Sequence, residues 1–260
     1  MAIAFHGMCF DLDSAPPIPE ISGAAVSHDE LVLEARDGNR FAAFVATPDE
    51  PARVGVVILP DVRGLYRFYE ELALRFAERA YAAVAIDYFG RTAGVSKRDD
   101  NFEFMPHVEQ TTQDSIQADV AAAVEHLRAI GCHSVFTVGF CFGGRNSWLA
   151  AAGGHSLAGA VGFYGRPGPG RDGSPGPTAR AAELAAPILA LMGGDDPGIP
   201  LDEIGAFDEA LSAAGVEHEV VVYPGAPHSF FDRKHEEFAA DSDDAWTRVL
   251  AFLERHAGGG

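Results

Sequence analysis

One cysteine of this sequence lies between glycines in a pattern that can create a nucleophile. Positions 139–144 read GFCFGG; the apolar run SVFTVGF leads into this motif, and a helix-like run follows it. Glycines on both sides of a reactive side chain let the backbone turn sharply from a strand into a helix. The N-terminus of a helix also favours negative charge, through its dipole and its N–H groups. Cys141 is therefore the candidate nucleophile, and a buried structural cysteine is the alternative interpretation.

Two aspartates and a histidine further along the chain can complete this chemistry, since a nucleophile needs a base and the base needs an orienting acid. Asp195 and Asp196 follow the apolar run PILALMGG, and His228 comes five residues after a strand end at Tyr223. Sites of open parallel sheets gather at the carboxyl ends of the strands. This placement predicts His228 as the base and Asp196 as its acid, with Asp195 as the alternative acid or a turn residue.

The number and spacing of the cysteines argue against disulfide bonds and against a zinc site. Cys9, Cys132 and Cys141 are an odd number, widely spaced and without a CxxC pair, which fits neither a disulfide framework nor a zinc site. A redox role for Cys141 stays open, because surroundings that activate a thiol also make it oxidisable. The cysteine pattern and the lack of a signal-peptide pattern at the N-terminus predict a cytoplasmic protein, and we expect no metal.

The elements that must position these residues alternate along the chain. Two short apolar runs flank a turn, DGN at positions 37–39, and predict a hairpin. Six apolar strand candidates follow, interleaved with helix patterns such as the one at 68–81. This alternation predicts an α/β fold, with a mainly parallel sheet covered by helices on both faces. We expect residues 1–27 to form an N-terminal arm and residues 28–260 to form a single domain.

The composition limits the partners of this protein. The chain has 260 residues, 47% of them hydrophobic, and its 19 basic and 38 acidic residues give a formal net charge of −19. Nucleic-acid binding would need a basic face, and an anionic membrane surface would repel this chain. No stretch reaches the length of about 18 apolar residues that a membrane span needs. A small molecule is therefore the expected partner, with no nucleic acid and no membrane, and the oligomeric state is not predicted.

Several segments together resemble the dienelactone hydrolase family, over roughly residues 28–256. The resemblance implies an α/β-hydrolase fold, in which nucleophile, acid and histidine follow one another in this chain order. It also implies opening of a lactone ring (carboxymethylenebutenolide to maleylacetate) without a cofactor. The matching segments are PDVRG at 60–64, DYFGR at 87–91, GFCFGG at 139–144, GGDDPGIP at 193–200 and PHSFF at 227–231.

The resemblance also implies roles for individual residues. Carried over by position, Cys141 is the nucleophile, His228 the base and Asp196 the acid. The oxyanion hole, which stabilises the negative oxygen of the reaction intermediate, would use the backbone N–H groups of Phe142 and Val62.

At three further positions the resemblance bears on substrate binding. Asp61 stands where the family has a glutamate that contacts the resting thiol, and its side chain is one methylene shorter. Arg91 matches the first of two arginines that hold the carboxylate of the substrate. The position of the second arginine holds Asp232, with Arg233 one residue later. These departures concern the substrate more than the type of reaction.

The sequence therefore predicts a cysteine-dependent hydrolase that opens a small lactone or ester, with or without a carboxylate. A general carboxylesterase or thioesterase that acts on another small substrate is the alternative within the hydrolases. A non-catalytic binding protein on the same fold is the alternative from another class. The intact order of Cys141, Asp196 and His228 argues against that last reading.

Overall fold

The computed structural model describes residues 14–98 and 101–258, in which eight β-strands and seven α-helices follow one another. The strands are β1 (Val26–Glu34), β2 (Arg40–Pro48), β3 (Val54–Leu59), β4 (Ala82–Ile86), β5 (Ser134–Phe140), β6 (Gly159–Phe163), β7 (Ile188–Gly193) and β8 (His218–Tyr223). The helices are α1 (Arg67–Ala77), α2 (Gly90–Ala93), α3 (Met105–Val108), α4 (Gln113–Ala129), α5 (Phe142–Ala150), α6 (Leu201–Ala214) and α7 (Ala239–His256).

All eight strands form one sheet, in the order β1-β2-β4-β3-β5-β6-β7-β8. Strands β3 to β8 are parallel to one another, whereas β1 pairs with β2, and β2 with β4, in antiparallel fashion. This arrangement confirms the predicted mainly parallel sheet and the N-terminal hairpin. Among the described residues, no helix combines the length and the apolar character that a membrane crossing requires.

The central strands are buried on both faces, as their continuous apolar runs predict. In β3, Val56 and Ile58 pack into the layer with α1 and α7, while Val57 and Leu59 pack into the layer with α4. Helices α5 and α6 cover the remaining part of that second face. A parallel sheet needs such a cover on each side, because βαβ crossovers place helices on both faces.

The N-terminal segment packs onto α1 before the sheet begins. Ile18 is buried in the core, and Glu20 lies 3.4 Å from the Arg75 guanidinium. Strand β1 starts at Val26, so the boundary expected between residues 27 and 28 falls inside the strand. Residues 1–13 of the expected arm, which include Cys9, lie outside the described residues.

The strand order reverses at β3, which has β4 on one side and β5 on the other. At such a switch point the loops after the two strands diverge and leave a crevice at their carboxyl ends. Leu59 of β3 is the register partner of Gly139 of β5. The residues that follow them, Val62 and Cys141, are therefore delivered to the same crevice.

Candidate functional site

Cys141 occupies the sharp turn between β5 and α5, as predicted. Its backbone has φ 54° and ψ −111°, a conformation that non-glycine residues rarely adopt and that surrounding structure must hold in place. The Cys141 N–H donates to the Phe163 carbonyl at 3.0 Å, and the Arg145 N–H donates to the Cys141 carbonyl at 3.2 Å. Cys141 is partly exposed as a residue, in contrast to the buried Cys132.

The glycines of the motif are required by close backbone approach. A Cβ atom on Gly139 would collide with the Gly143 carbonyl, and a Cβ atom on Gly143 would collide with the Leu59 carbonyl. The first turn of α5 therefore lies directly against β3 and β5. This contact brings the helix N-terminus beside the crevice and exposes the Cys141 side chain above the sheet.

Asp196 and His228 form a hydrogen-bonded pair at the same edge of the sheet. Oδ2 of Asp196 lies 2.6 Å from Nδ1 of His228, while Oδ1 accepts the Gly198 N–H at 2.8 Å. Asp196 is buried, whereas Asp195 is exposed and donates its N–H to the Ala226 carbonyl. Of the two acids that the sequence left open, Asp196 is the one that hydrogen-bonds the histidine. This bond leaves Nε2 of His228 as the nitrogen that can exchange a proton.

Residues 163 and 164, at the end of β6, connect the cysteine to the histidine. The carbonyl of Phe163 holds the Cys141 N–H, and the next side chain, Tyr164, packs its ring 4.9 Å from the His228 ring between centroids. The side chain of His228 is 32% exposed. Cys141, Asp196 and His228 thus follow the carboxyl ends of β5, β7 and β8, and β6 lies between β5 and β7 in the sheet.

The two backbone N–H groups expected to form an oxyanion hole belong to residues that follow β5 and β3, which are neighbours in the sheet. Phe142 is the first residue of α5, and the first N–H groups of a helix have no acceptor within the helix. Val62 lies in the loop after β3. Within the described parts of the chain, neither N–H donates a hydrogen bond. Both donors are therefore available to a substrate oxygen.

The contact that the resemblance implies between Asp61 and the Cys141 thiol is not formed among the described residues. Asp61 is fully buried, and Oδ1 of its carboxylate accepts the Arg63 N–H at 2.8 Å. Its other oxygen lies 3.5 Å from Nη2 of Arg63. The shorter aspartate side chain thus turns to the arginine two residues later instead of reaching the sulfur.

The Arg91 guanidinium forms ion pairs with two carboxylates. Its Nη1 lies 2.6 Å from Oδ2 of Asp119 in α4, and its Nη2 lies 2.7 Å from Oδ2 of Asp37 in the hairpin turn. The hydrogen bond from Arg91 lowers the pKa of Asp37, while burial raises the pKa of Asp119 despite the arginine. A substrate carboxylate would have to displace one of these partners to reach Arg91.

Arg233 and Asp232 have opposite surroundings. Arg233 is exposed, and it contributes its backbone N–H, not its guanidinium, to the Asp232 carboxylate. Asp232 is buried and accepts the Tyr164 hydroxyl at 2.6 Å. Burial raises the pKa of Asp232 to about 7, with a further increase from Asp61. The carboxyl group next to the candidate site can therefore be protonated near neutral pH.

Sequence reasoning missed the roles of Asp119 and Tyr164. Asp119 is a buried acid that also accepts the Asn39 side-chain amide at 2.9 Å. Its signal was available, because it lies three residues after Ile116 on the buried face of α4, where the apolar residues have helical spacing. Tyr164 gave no comparable signal, since an aromatic residue at the end of an apolar strand is typical of core packing.

No metal site was expected, and the described residues contain no group of three or more His, Cys, Asp or Glu side chains arranged to hold a metal ion.

Comparison with known proteins identifies the family of this chain. A sequence profile described as "Dienelactone hydrolase family" matches residues 41–257. A "Putative carboxymethylenebutenolidase" of Escherichia coli strain K12 is 31% identical over 233 residues, which cover 85% of this chain and 84% of that protein. A "Carboxymethylenebutenolidase" of Rhodococcus opacus is 28% identical, with 96% of this chain and 97% of that protein covered. A crystal structure of a "Putative Dienelactone Hydrolase" from Klebsiella pneumoniae has a TM-score of 0.78 and 29% identity, covering 88% of this chain and 99% of that one. This chain therefore belongs to the dienelactone hydrolase family, whose members are hydrolases of ester or lactone bonds.

Proposed function

We propose that this protein hydrolyses small lactones or esters through a covalent thioester on Cys141. The observation that carries the proposal is the strained strand-to-helix turn at Cys141, on the same sheet edge as a histidine whose Nδ1 lies 2.6 Å from Oδ2 of Asp196. A nucleophile, a base and an acid that orients the base are the parts that acyl transfer requires.

The first half of the reaction forms the thioester. His228 takes the proton of the Cys141 thiol at Nε2, and the thiolate attacks the carbonyl carbon of the substrate. The N–H groups of Phe142 and Val62 donate to the resulting oxyanion, and one such donor typically lowers the barrier by about 3 kcal/mol. The intermediate collapses, the C–O bond breaks, and His228 returns the proton to the leaving oxygen. Asp196 keeps the imidazole in the correct tautomer throughout.

The second half releases the acid. Water loses a proton to His228 and attacks the thioester carbonyl, and the second tetrahedral intermediate expels the Cys141 thiolate. A thiolate is a good leaving group and a strong nucleophile, so both halves can run near neutral pH. The nucleophile must stay reduced to work, which supports the cytoplasm as the place of action.

A neutral ester or thioester is the second candidate substrate, and the surroundings of Arg91 favour it. A carboxylate-bearing lactone needs a cation within the site, but Arg91 is bound to Asp37 and Asp119. Asp232 adds a buried carboxyl group near His228 in place of a positive charge. A substrate without a carboxylate avoids both obstacles.

Hydrolysis assays on three proteins test the proposal. Wild type, Cys141→Ala and Cys132→Ala are mixed with cis- and trans-dienelactone and with p-nitrophenyl acetate. We expect Cys141→Ala to lose hydrolysis of every substrate, and Cys132→Ala to keep it, because the Cys132 thiol is buried and burial raises its pKa to about 11. Turnover by Cys141→Ala would contradict the proposal. Binding without turnover by wild type would favour the non-catalytic alternative.

A further inference from the structure

Asp232 is a buried acid that the proposed mechanism does not use. It is 1% exposed and lies four residues after His228. In the described parts of the chain, no lysine or arginine side chain forms an ion pair with it. Its two oxygens accept the Tyr164 hydroxyl and the backbone N–H of Arg233. Burying a carboxyl group without a counter-ion is unfavourable, so its presence here is not explained by stability.

Tyr164 joins this acid to the base of the proposed mechanism. Its side chain is fully buried, with the hydroxyl on Asp232 at 2.6 Å and the ring against His228. Its backbone has φ 36°, an unfavourable value for a bulky residue. The Tyr164 N–H donates to the Leu191 carbonyl at 2.8 Å. The backbone of Tyr164 is thus held by Leu191 and its hydroxyl by Asp232. These two hydrogen bonds fix the position of the aromatic ring that lies between them.

Two constraints of different kinds then act on the imidazole. Asp196 binds one ring nitrogen of His228, which fixes the edge of the ring but permits rotation about the hydrogen bond. The Tyr164 ring packs against the imidazole at an interplanar angle of 55°, and this contact restricts that rotation. Asp196 and Tyr164 together define the direction in which Nε2 points.

Charge also connects Asp232 to His228. The pKa of Asp232 is raised to about 7 by burial, and further by the Asp61 carboxyl. The Tyr164 hydroxyl, the Arg233 N–H and the positive form of His228 all act in the opposite direction. Asp232 therefore changes its charge over the pH range in which an imidazole accepts and releases protons. Its ionised form favours a protonated His228.

We propose that Asp232, acting through Tyr164, is a positioning residue for His228. The carboxyl group anchors the Tyr164 hydroxyl, the Tyr164 ring fixes the plane of the imidazole, and the charge of Asp232 favours its protonated state. This inference rests on the proposed function, because it assigns a role toward the base of that reaction.

Two variants and one matched control test this role. Tyr164→Phe removes the hydroxyl and keeps the ring, and Asp232→Asn removes the charge at nearly constant shape. Asp244→Asn is the control, since Asp244 of α7 accepts a tyrosine hydroxyl in the same way, from Tyr223 at 2.8 Å, whereas Asp232 accepts the hydroxyl of the tyrosine that packs on His228. kcat and KM for p-nitrophenyl acetate are measured separately between about pH 5 and 9, a range that spans the titration of an imidazole.

We expect Tyr164→Phe to lower kcat by about 10- to 100-fold with KM nearly unchanged, the effect of a misplaced base. Asp232→Asn should move the acid limb of kcat/KM to lower pH by up to about half a unit, because the Asp232 carboxyl, with a pKa raised to about 7, is only partly ionised there and only that part of its charge favours the protonated imidazole. Asp244→Asn should behave as wild type. If Asp232→Asn does not fold, Tyr164→Phe alone decides the positioning role.

Wild-type kcat in Tyr164→Phe overturns the inference, as does an unshifted pH profile in a folded Asp232→Asn. Inactivity of Cys141→Ala in the same assay then shows that the proposed function survives and only the role of Asp232 falls. Activity of Cys141→Ala would overturn both.

Discussion

Replacing Arg91 by alanine distinguishes a structural role of this arginine from a role in substrate binding. The sequence resemblance assigns the guanidinium to a substrate carboxylate, whereas the structure binds it to Asp37 and Asp119. The alanine variant leaves the Asp119 carboxylate, whose side chain is 1% exposed, with the Asn39 amide as its remaining hydrogen-bond donor. We therefore expect the main loss to be in stability.

The magnitude follows from burial. Removing one partner of a fully buried ion pair costs about 3–5 kcal/mol. The Arg91 side chain is 24% exposed, so water screens part of the interaction, and the Asn39 bond persists. We expect a loss of about 2–3 kcal/mol in the free energy of unfolding.

The loss should depend on pH. Burial already raises the pKa of Asp119 in the folded protein, and without Arg91 it should rise further. The folded state then keeps a proton that the unfolded state releases, so stability falls as the pH rises through this raised pKa. The defect of Arg91→Ala should be larger near pH 8 than near pH 5, where protonation of Asp119 relieves the unpaired charge.

Urea unfolding of Arg91→Ala at both pH values measures this effect. Arg36→Ala is the matched control, because Arg36 pairs with Glu125 and both side chains are more than half exposed, so its loss should stay below about 1 kcal/mol. The reasoning is refuted if Arg91→Ala unfolds like Arg36→Ala and loses kcat/KM only for carboxylate-bearing esters.

Three further substitutions test other parts of the structure. Asp196→Asn should lower kcat by about 10³- to 10⁴-fold through loss of the correct tautomer, whereas the exposed Asp195→Asn should leave it unchanged; equal effects in a kinetic assay would contradict the pairing with His228. Gly143→Ala should lower both Tm and activity, because the added Cβ atom collides with the backbone of Leu59. Gly205→Ala in α6 should raise stability by up to about 1 kcal/mol, because the Cβ atom added there meets no other atom. Thermal unfolding of the two variants compares these effects. The free energy of unfolding of Asp232→Asn should increase relative to that of wild type as the pH rises from about 4 to 7, by about 2–4 kcal/mol in total. The reason is that wild type must ionise a buried carboxyl group whose pKa is raised to about 7. A constant difference in unfolding free energy across that range would rule this out.

The sheet and the nucleophile turn could be predicted because their determinants are local in sequence. The run at Val54–Leu59 is apolar on both faces, which only a covered parallel strand accommodates. The glycines around Cys141 are required because α5 lies directly against the sheet. These glycines can be identified from the sequence alone. Cys141, Asp196 and His228 each follow a predicted strand, and their positions therefore indicated that the site lies at the strand ends.

The partners of the charged groups could not be predicted in this way. Arg91 finds its carboxylates 54 and 28 residues away along the chain, and Asp232 finds Tyr164 at a separation of 68 residues. Such pairings depend on how the loops at the sheet edge pack against one another. Neither the periodicity of apolar residues nor the spacing of motifs predicts that packing. The Asp61 carboxylate similarly accepts the Arg63 N–H, and this contact depends on the length of the side chain and the conformation of the loop, which the motif alone does not show.

The most direct test of the central claim is to trap the acylated enzyme. Wild type is mixed with excess p-nitrophenyl acetate, quenched in acid within the first turnover, digested and examined by mass spectrometry, with Cys141→Ala treated in parallel. A single acetyl group on the peptide that contains Cys141, absent from the variant and lost as the substrate is consumed, is the predicted result. Hydrolysis that proceeds with Cys141 unmodified, or an acetyl group that turns over on another residue, would contradict the claim.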